Sequence, residues 1–330
     1  LSDKQSAKAR KKCDNLMIKR EEVIDFIDKF EKTKTLLNEG IDIVLELPIS
    51  STLQSADYFA YNTVSTLKDL GVTNIVVGSE NNDLSLLEYY YQFTNSSIFK
   101  DQFKNNLSLN LSYKSTYEKT LLDLGMEKTK ANEFNLPNIT LAYQYYKVIK
   151  DNNYNINLNL IERTNNYYQD SASNNIASAT FIRSKIMNNE DYSNYLPYNY
   201  NIINLQHAQN TLMSLINFEL LSWKLKVDIT DINHNEEGII NYIINSDITT
   251  SNYLNFLDQL KNKRYSTSRI RRVLLSMLLK LPKGYEKHCN YLRLLGINTK
   301  GSLYLNKLPK ETKQYIFSTP KELSRINNEH

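Results

Sequence analysis

The sequence predicts an α/β protein: a doubly wound, mostly parallel sheet over residues 1–190, then an all-helical half over 191–330. Two observations predict the first part. Short apolar runs, "GIDIVLELP", "VTNIVVGSE" and "INLNLIER", read as strands, and helical patterns alternate with them. A third predicts the second part, because beyond about residue 200 helical periodicity continues with almost no strand signal. The polar stretch "NNEDYSNYLPYNYN" joins the two as a linker, and no internal repeat appears.

Taken in order, "LSDKQSAKARKKCDN" reads as a basic helix. Residues 28–39 carry Phe30, Thr33 or Lys34, and Leu37 at helical spacing, and Gly40 is their left-handed stop. Ile41 to Leu47 then form a short strand suited to burial on both faces, interrupted by Asp42 and Glu46. An acid at a strand end belongs either to a ligand crevice or to a solvated strand tip. Residues 56–70, 84–93 and 113–125 read as helices around a second strand that ends at Gly78. "LPNITLAYQYYKVIK" is a helix opened by proline and asparagine, "INLNLIER" is a third strand, and "SATFIRSKIM" is a helix capped by Ser178 or Thr180. Residues 205–225, 236–245, 250–264 and 266–281 complete the helical half.

Bulk properties narrow the class. At 330 residues the chain can hold two cores, domains commonly holding ~100–200 residues. A net charge of +4 permits a nucleic-acid partner without demanding one. Cys13 and Cys289 are too few for a disulfide scaffold or zinc cluster, and His207, His234, His288 and His330 show no ligand spacing. No protein-held metal site is expected. With no apolar stretch of ~18 residues and no signal core, the expectation is a soluble cytoplasmic protein.

Four segments carry polar groups suited to chemistry. "VVGSENND" places Gly78 at a strand tip, where backbone can approach a ligand or simply turn into a loop. "LIERTNNYYQD" delivers Arg163, a bidentate phosphate clamp or an ion-pair partner of Glu162 or Asp170. "ASATFIRSKIM" offers Ser178, Thr180 and Arg183 at a helix start, suited to phosphate or to simple capping. "KNKRYSTSRIRRVLL" gathers six cations around Tyr265 with no acid among them, the combination an RNA backbone with a splayed base requires; a solvated helix face is the alternative.

With these segments in order, the chain resembles the tRNA(Met) cytidine acetate ligase family, a nucleotidyltransferase-like (Rossmann-like) group. The matching stretches include "DKFEKTKTLLNEGIDIVLELP", "QSADYFAYNTVSTLKDLGVTNIVVGSENND", "LPNITLAYQYYK", "LIERTNNYYQD", "ASATFIRSKI", "KRYSTSRIRRVLL" and "YLRLLGINTKGSLYL", which span nearly the whole chain. The resemblance implies an enzyme that activates acetate with ATP, Mg2+ accompanying it, and acetylates the wobble cytidine of elongator tRNA(Met). It implies ATP contacts at Gly78, Asn138, Arg163, Ser178, Thr180 and Arg183, and tRNA contacts at Lys263, Arg264, Tyr265, Arg269 and Arg272. Catalytic residues stay unassigned.

The chain departs from the family pattern in places. Family members begin with a strand and an Asn-Pro-Phe-His-x-Gly-His motif, and these 330 residues contain neither. "MIKREEVIDF" leaves Arg20 and Glu21 as remnants of a further family loop, Ile139 replaces a second asparagine, and Gln169 replaces a histidine before Asp170. The expectation is therefore either a chain cut at its start or a catalytically degenerate tRNA-binding relative. An adenylyltransferase acting on a small cofactor precursor would use the same sheet but leaves the basic helical half unexplained.

Overall fold

The computed structural model describes residues 26–109, 111–163, 179–196, 198, 200–225, 231–236, 238–246, 248, 250–284 and 291–319. The basic segment at the start, Arg20, Glu21, Gln169, Asp170 and Ser178 lie outside these.

Local chemistry sets the first elements. The Asp28 carboxylate accepts from Phe30 N at 2.7 Å and opens helix α1 (Lys29–Asn38), which stops at Glu39 and at Gly40 with φ +93°. Strand β1 (Ile43–Glu46) follows, then a short helix α2 (Ile49–Thr52) and helix α3 (Ala56–Asp69). Strand β2 (Asn74–Ser79) leads to helices α4 (Leu84–Asn95), α5 (Ser97–Leu107), α6 (Tyr113–Asp123), α7 (Lys128–Phe134) and α8 (Pro137–Asp151). Strand β3 (Asn157–Glu162) and helix α9 (Ala179–Met187) close this part. Helices α5 and α7 were not foreseen. Thr180 falls inside α9, so it is not the helix cap.

The helical half consists of α10 (Leu205–Lys224), α11 (Ile239–Ile244), α12 (Tyr253–Leu260) and α13 (Thr267–Leu279). Ser266 caps α13, and α12 stops at Leu260, short of the basic loop the sequence includes in that helix. Strand β4 (Leu292–Ile297), helices α14 (Thr299–Lys307) and α15 (Lys310–Lys313), and strand β5 (Ile316–Phe317) follow.

These last strands lie in a part of the chain whose sequence carries almost no strand signal. β4 pairs antiparallel with β1, placing Ile43 opposite Ile297 and Glu46 opposite Arg293, and β5 joins β4 in parallel. "YLRLLGI" is a short apolar run whose periodicity alone cannot separate helix from strand; its partner, 250 residues away, decides. β2 and β3 pair in parallel as a second sheet, from Asn74 opposite Asn157 to Ser79 opposite Glu162. Among the described strand pairs, β1–β4 is antiparallel and the other two are parallel. Residues of β1 are only half-buried, whereas burial on both faces was expected.

One core forms under β2 and β3, where Leu87, Tyr90, Leu121, Ile139 and Tyr143 from α4, α6 and α8 are almost fully buried. The other face of β2 and β3 carries Asn74, Val76, Asn157 and Asn159, all exposed, as period-two alternation dictates. A second core lies within the helical half, around Ile239, Ile240, Phe256, Leu260 and Ile270. Leu70, Leu292 and Leu308 form a small third cluster joining the end of α3 to β4. His234 Nε2 lies 2.7 Å from Leu53 O, tying the helical half to the α2–α3 turn.

The seat of β4 and α14 on β1 is close. Asn298 Nδ2 donates to Asp42 Oδ1 at 2.7 Å, and Asn298 N to Asp42 O at 3.0 Å. A methyl group at Gly301 would lie 2.3 Å from Asp42 O, whereas one at Gly296 would meet the Thr33 and Leu37 side chains at 2.4 and 2.9 Å. Backbone yields less than side chains. Gly301→Ala should therefore lower the urea midpoint more than Gly296→Ala, overpacking costing about 1–3 kcal/mol, with unfolding slopes unchanged.

Buried phenols give the fold a pH limit. Burial pushes Tyr253 up to about 12 and raises Tyr90, Tyr117 and Tyr143, while an unfolded tyrosine ionises near about 10. The folded state then keeps protons that the unfolded state releases, so this stabilisation is complete below pH ~10 and is lost as pH rises through the folded values. Urea midpoints should fall between pH ~10 and ~12, and Tyr253→Phe should flatten that fall.

Candidate functional site

Parallel strands gather ligands outside their carboxyl ends, because there the loops converge and the backbone is free to turn. In β2 and β3 that end carries Gly78 opposite Ile161 and Ser79 opposite Glu162. Arg163 N donates to Ser79 O at 2.8 Å, so the ladder continues one residue past β3 and fixes the base of the Arg163 side chain at the tip. Ser79 is fully buried, and its Oγ has no hydrogen-bond partner. An orphaned buried hydroxyl is rare and costs free energy, so its place beside Gly78 marks this tip.

The next residue, Glu80, was missed by sequence reasoning. Its carboxylate accepts from Asn138 N at 3.1 Å, from Asn138 Nδ2 at 2.8 Å and from Ile139 N at 2.8 Å. Helix α8 opens with Leu136 at its cap position and Pro137 next, so no local side chain serves its first free N–H groups. An acid from the β2 tip does so instead, with its charge facing the positive end of the helix dipole. The faint signal was the absence of a local cap before "PNITLAY". Asn138 is buried at the head of α8, and its amide donates to Glu80. Asn81 donates to Glu133, and Asp83 caps α4; the Ser85 hydroxyl beside it holds the Asp83 carboxyl below its ordinary range.

Other expected residues are dispersed. The Arg183 guanidinium lies 5.9 Å from the centre of the Phe26 ring, near the start of α1. Glu46 is neither a free crevice acid nor merely solvated: Lys29 Nζ binds its two oxygens at 2.7 and 3.0 Å, and Arg293 Nη1 stands 3.8 Å away.

The basic loop before α13 also differs from its sequence reading. Tyr265 is only 4% exposed, packed 5.3 Å from Tyr242, with Arg264 and Arg269 at 5.3 and 5.5 Å from its centroid. A ring enclosed in this way offers no face to a base, so the expected stacking role of Tyr265 is corrected to a packing role. Acids outside the run reach it: Glu236 stands 3.7 Å from Arg269 Nη2, and Asp258, just before the run in sequence, pairs with Lys261. Lys263 and Arg264 remain exposed, and Arg269 and Arg272 partly so. Among the described residues no three His, Cys, Asp or Glu side chains cluster to hold a metal, and no helix is long and apolar enough to cross a membrane.

The profile described as HIGH Nucleotidyl Transferase matches residues 19–329. A tRNA(Met) cytidine acetate ligase of Fusobacterium nucleatum is 31% identical over 324 residues, covering 92% of this chain and 79% of that protein. The chain belongs to the tRNA(Met) cytidine acetate ligase family. The relative of the same name from Oceanobacillus iheyensis is 32% identical over 327 residues, with the same 92% and 79% coverage. Among solved structures, apo Thermotoga maritima TmcAL superposes with a TM-score of 0.78 at 22% identity, covering 96% of this chain and 80% of that one. The form bound with alpha-thio ATP gives 0.73 at 21% identity, with 96% and 79% covered. These likenesses show that this family member has the nucleotidyltransferase-like α/β fold.

The Glu80 clamp makes a stability prediction for this family member. Glu80→Ala leaves two backbone N–H groups and the Asn138 amide without their acceptor, and should cost about 1–3 kcal/mol in chemical denaturation. Asn138→Ala, which removes one of the three bonds, should cost less; the reverse order would contradict the clamp.

Proposed function

We propose that this chain is an ATP-dependent ligase that activates acetate as acetyl-adenylate and acetylates the wobble cytidine of elongator tRNA(Met). Supporting this reading is the parallel β2–β3 tip, where Gly78, the orphaned Ser79 hydroxyl and Arg163 come together in a chain similar over nine-tenths of its length to proteins of that name. ATP supplies the adenylyl group: an acetate oxygen attacks the α-phosphorus and pyrophosphate leaves, after which the cytidine amine attacks the acyl carbon and AMP leaves. Such chemistry rests on positioning and charge stabilisation.

The residues would divide the work by type. Gly78 lets backbone approach the nucleotide, Arg163 and Arg183 supply guanidinium groups for phosphate, and Ser178 and Thr180 supply hydroxyls. Asn138 acts through its place at the head of α8, since its amide is bound to Glu80. Mg2+ would enter on the phosphates, the usual mode for an ion that keeps several waters and takes few protein ligands. Lys263, Arg264, Arg269 and Arg272 would meet the tRNA backbone. The α/β part, with 291–319 returned to it, would bind nucleotide, and the helices between would bind tRNA, in the cytoplasm where both substrates occur.

The test is incubation with ATP, acetate and elongator tRNA(Met), followed by mass spectrometry of digested tRNA. N4-acetylcytidine should form only when all three are present, and Arg163→Ala should slow it by roughly 10²–10³-fold, the usual effect of losing one preorganised donor. Retained tRNA binding without product would instead identify a tRNA-binding relative that has lost the ATP chemistry.

A further inference from the structure

A protein that holds an unpaired base needs an aromatic face open to solvent with cations close enough to meet the flanking phosphates. Tyr265 fails the first requirement. Phe30 comes nearer to both: the residue is 45% exposed at the start of α1, with Lys29 Nζ 5.8 Å and the Arg293 guanidinium 5.6 Å from its ring centroid. Lys34, exposed, lies one turn further along the same helix face.

Glu46 is one carboxylate facing two cations, Lys29 and Arg293, and Lys34 adds a third. Arg293 Nε has no hydrogen-bond partner, and its Nη1 stands 3.8 Å from Glu46, beyond hydrogen-bond length. Asp28, which caps α1, and Glu31, which accepts from Asn201 N and Nδ2 at 3.0 and 2.9 Å, keep their negative charge beside these cations. A lone ring set among cations suits a nucleic acid better than an apolar protein surface.

The geometry points to Phe30 as a stacking platform for an unpaired base of bound RNA, with Lys29, Lys34 and Arg293 meeting the phosphates on either side. The inference rests on the tRNA reading above and adds a contact on α1 and β4, outside the basic loop. The pairing of β4 with β1 assembles it.

The test measures binding of an elongator tRNA(Met) transcript to the full chain by fluorescence anisotropy across a salt series, alongside ATP binding by calorimetry. Phe30→Ala should weaken tRNA binding about tenfold or more, the range of one stacked base, while Phe30→Trp keeps it. Lys34→Gln should reduce the salt slope by about one, and ATP affinity should be unchanged in all three variants. Unaltered tRNA affinity in Phe30→Ala overturns the inference alone, leaving the ligase reading intact. An equal loss in the Ala and Trp variants, or a loss of ATP affinity, overturns it too, because the effect would then be on folding. If the unaltered chain binds no tRNA, both readings fail.

Discussion

Pairing of β4 with β1 is the contact on which the remaining geometry depends. It joins Asp42 to Asn298 across 256 residues and so encloses every other described strand and helix beyond α1 except α14, α15 and β5. Closing so long a loop is less costly than it looks, since each doubling of length adds only about 0.6 kcal/mol. The register is narrowly fixed. Gly296 must fall over Thr33 and Leu37, and Gly301 over the Asp42 carbonyl, because a side chain at either point would occupy filled space. A slip of one residue would put Leu295 or Ile297 over α1 and turn β4 inside out.

A second long-range contact settles the nucleotide end. Glu80 bridges the β2 tip and the head of α8, so the strand, the helix and their shared core of Ile139 and Tyr143 move as one piece. The acid also fills the helix end that an unbonded α8 would offer to an anion. The head of α8 is therefore closed to an anion. Ile139, which departs from the family pattern, is fully buried beneath Glu80, where an asparagine amide would need partners that the apolar core does not offer.

What the sequence made legible is what neighbouring residues decide. Asp28 and Gly40 bound α1, Pro137 opens α8, and "NIVVGS" and "NLNLIE" form β2 and β3, because caps, fixed dihedrals and apolar runs act within a few residues. Gly78 and Arg163 were read at strand ends from the same local signals, whereas Asn138 entered only through the family resemblance. What was not legible depends on partners far along the chain. "LRLLGI" becomes a strand only because β1 has an open edge, and Glu80 caps a helix 58 residues away. Helices α5 and α7, which the sequence reading passed over, are held by Phe99, Ala131 and Phe134 in the core they share with α4, α6 and α8.

The basic loop shows why charge along a sequence differs from charge in space. Six cations in fifteen residues carry no acid among them, yet folding brings Glu236 to Arg269 and Asp258 to Lys261. Tyr265, the aromatic that made the run look like a base-reading segment, is drawn inward because Tyr242 and the α12–α13 core offer it burial, and two arginines lie across it. The loop is left as an electrostatic surface on which Lys263 and Arg264 are exposed. Phe30 is the converse case. Its neighbours Glu31 and Asp28 make the segment read as an ordinary amphipathic helix start, and only the return of Arg293 on β4 surrounds an exposed ring with cations. Aromatic–cation geometry is a property of tertiary pairing, so residue runs locate charge well and stacking poorly.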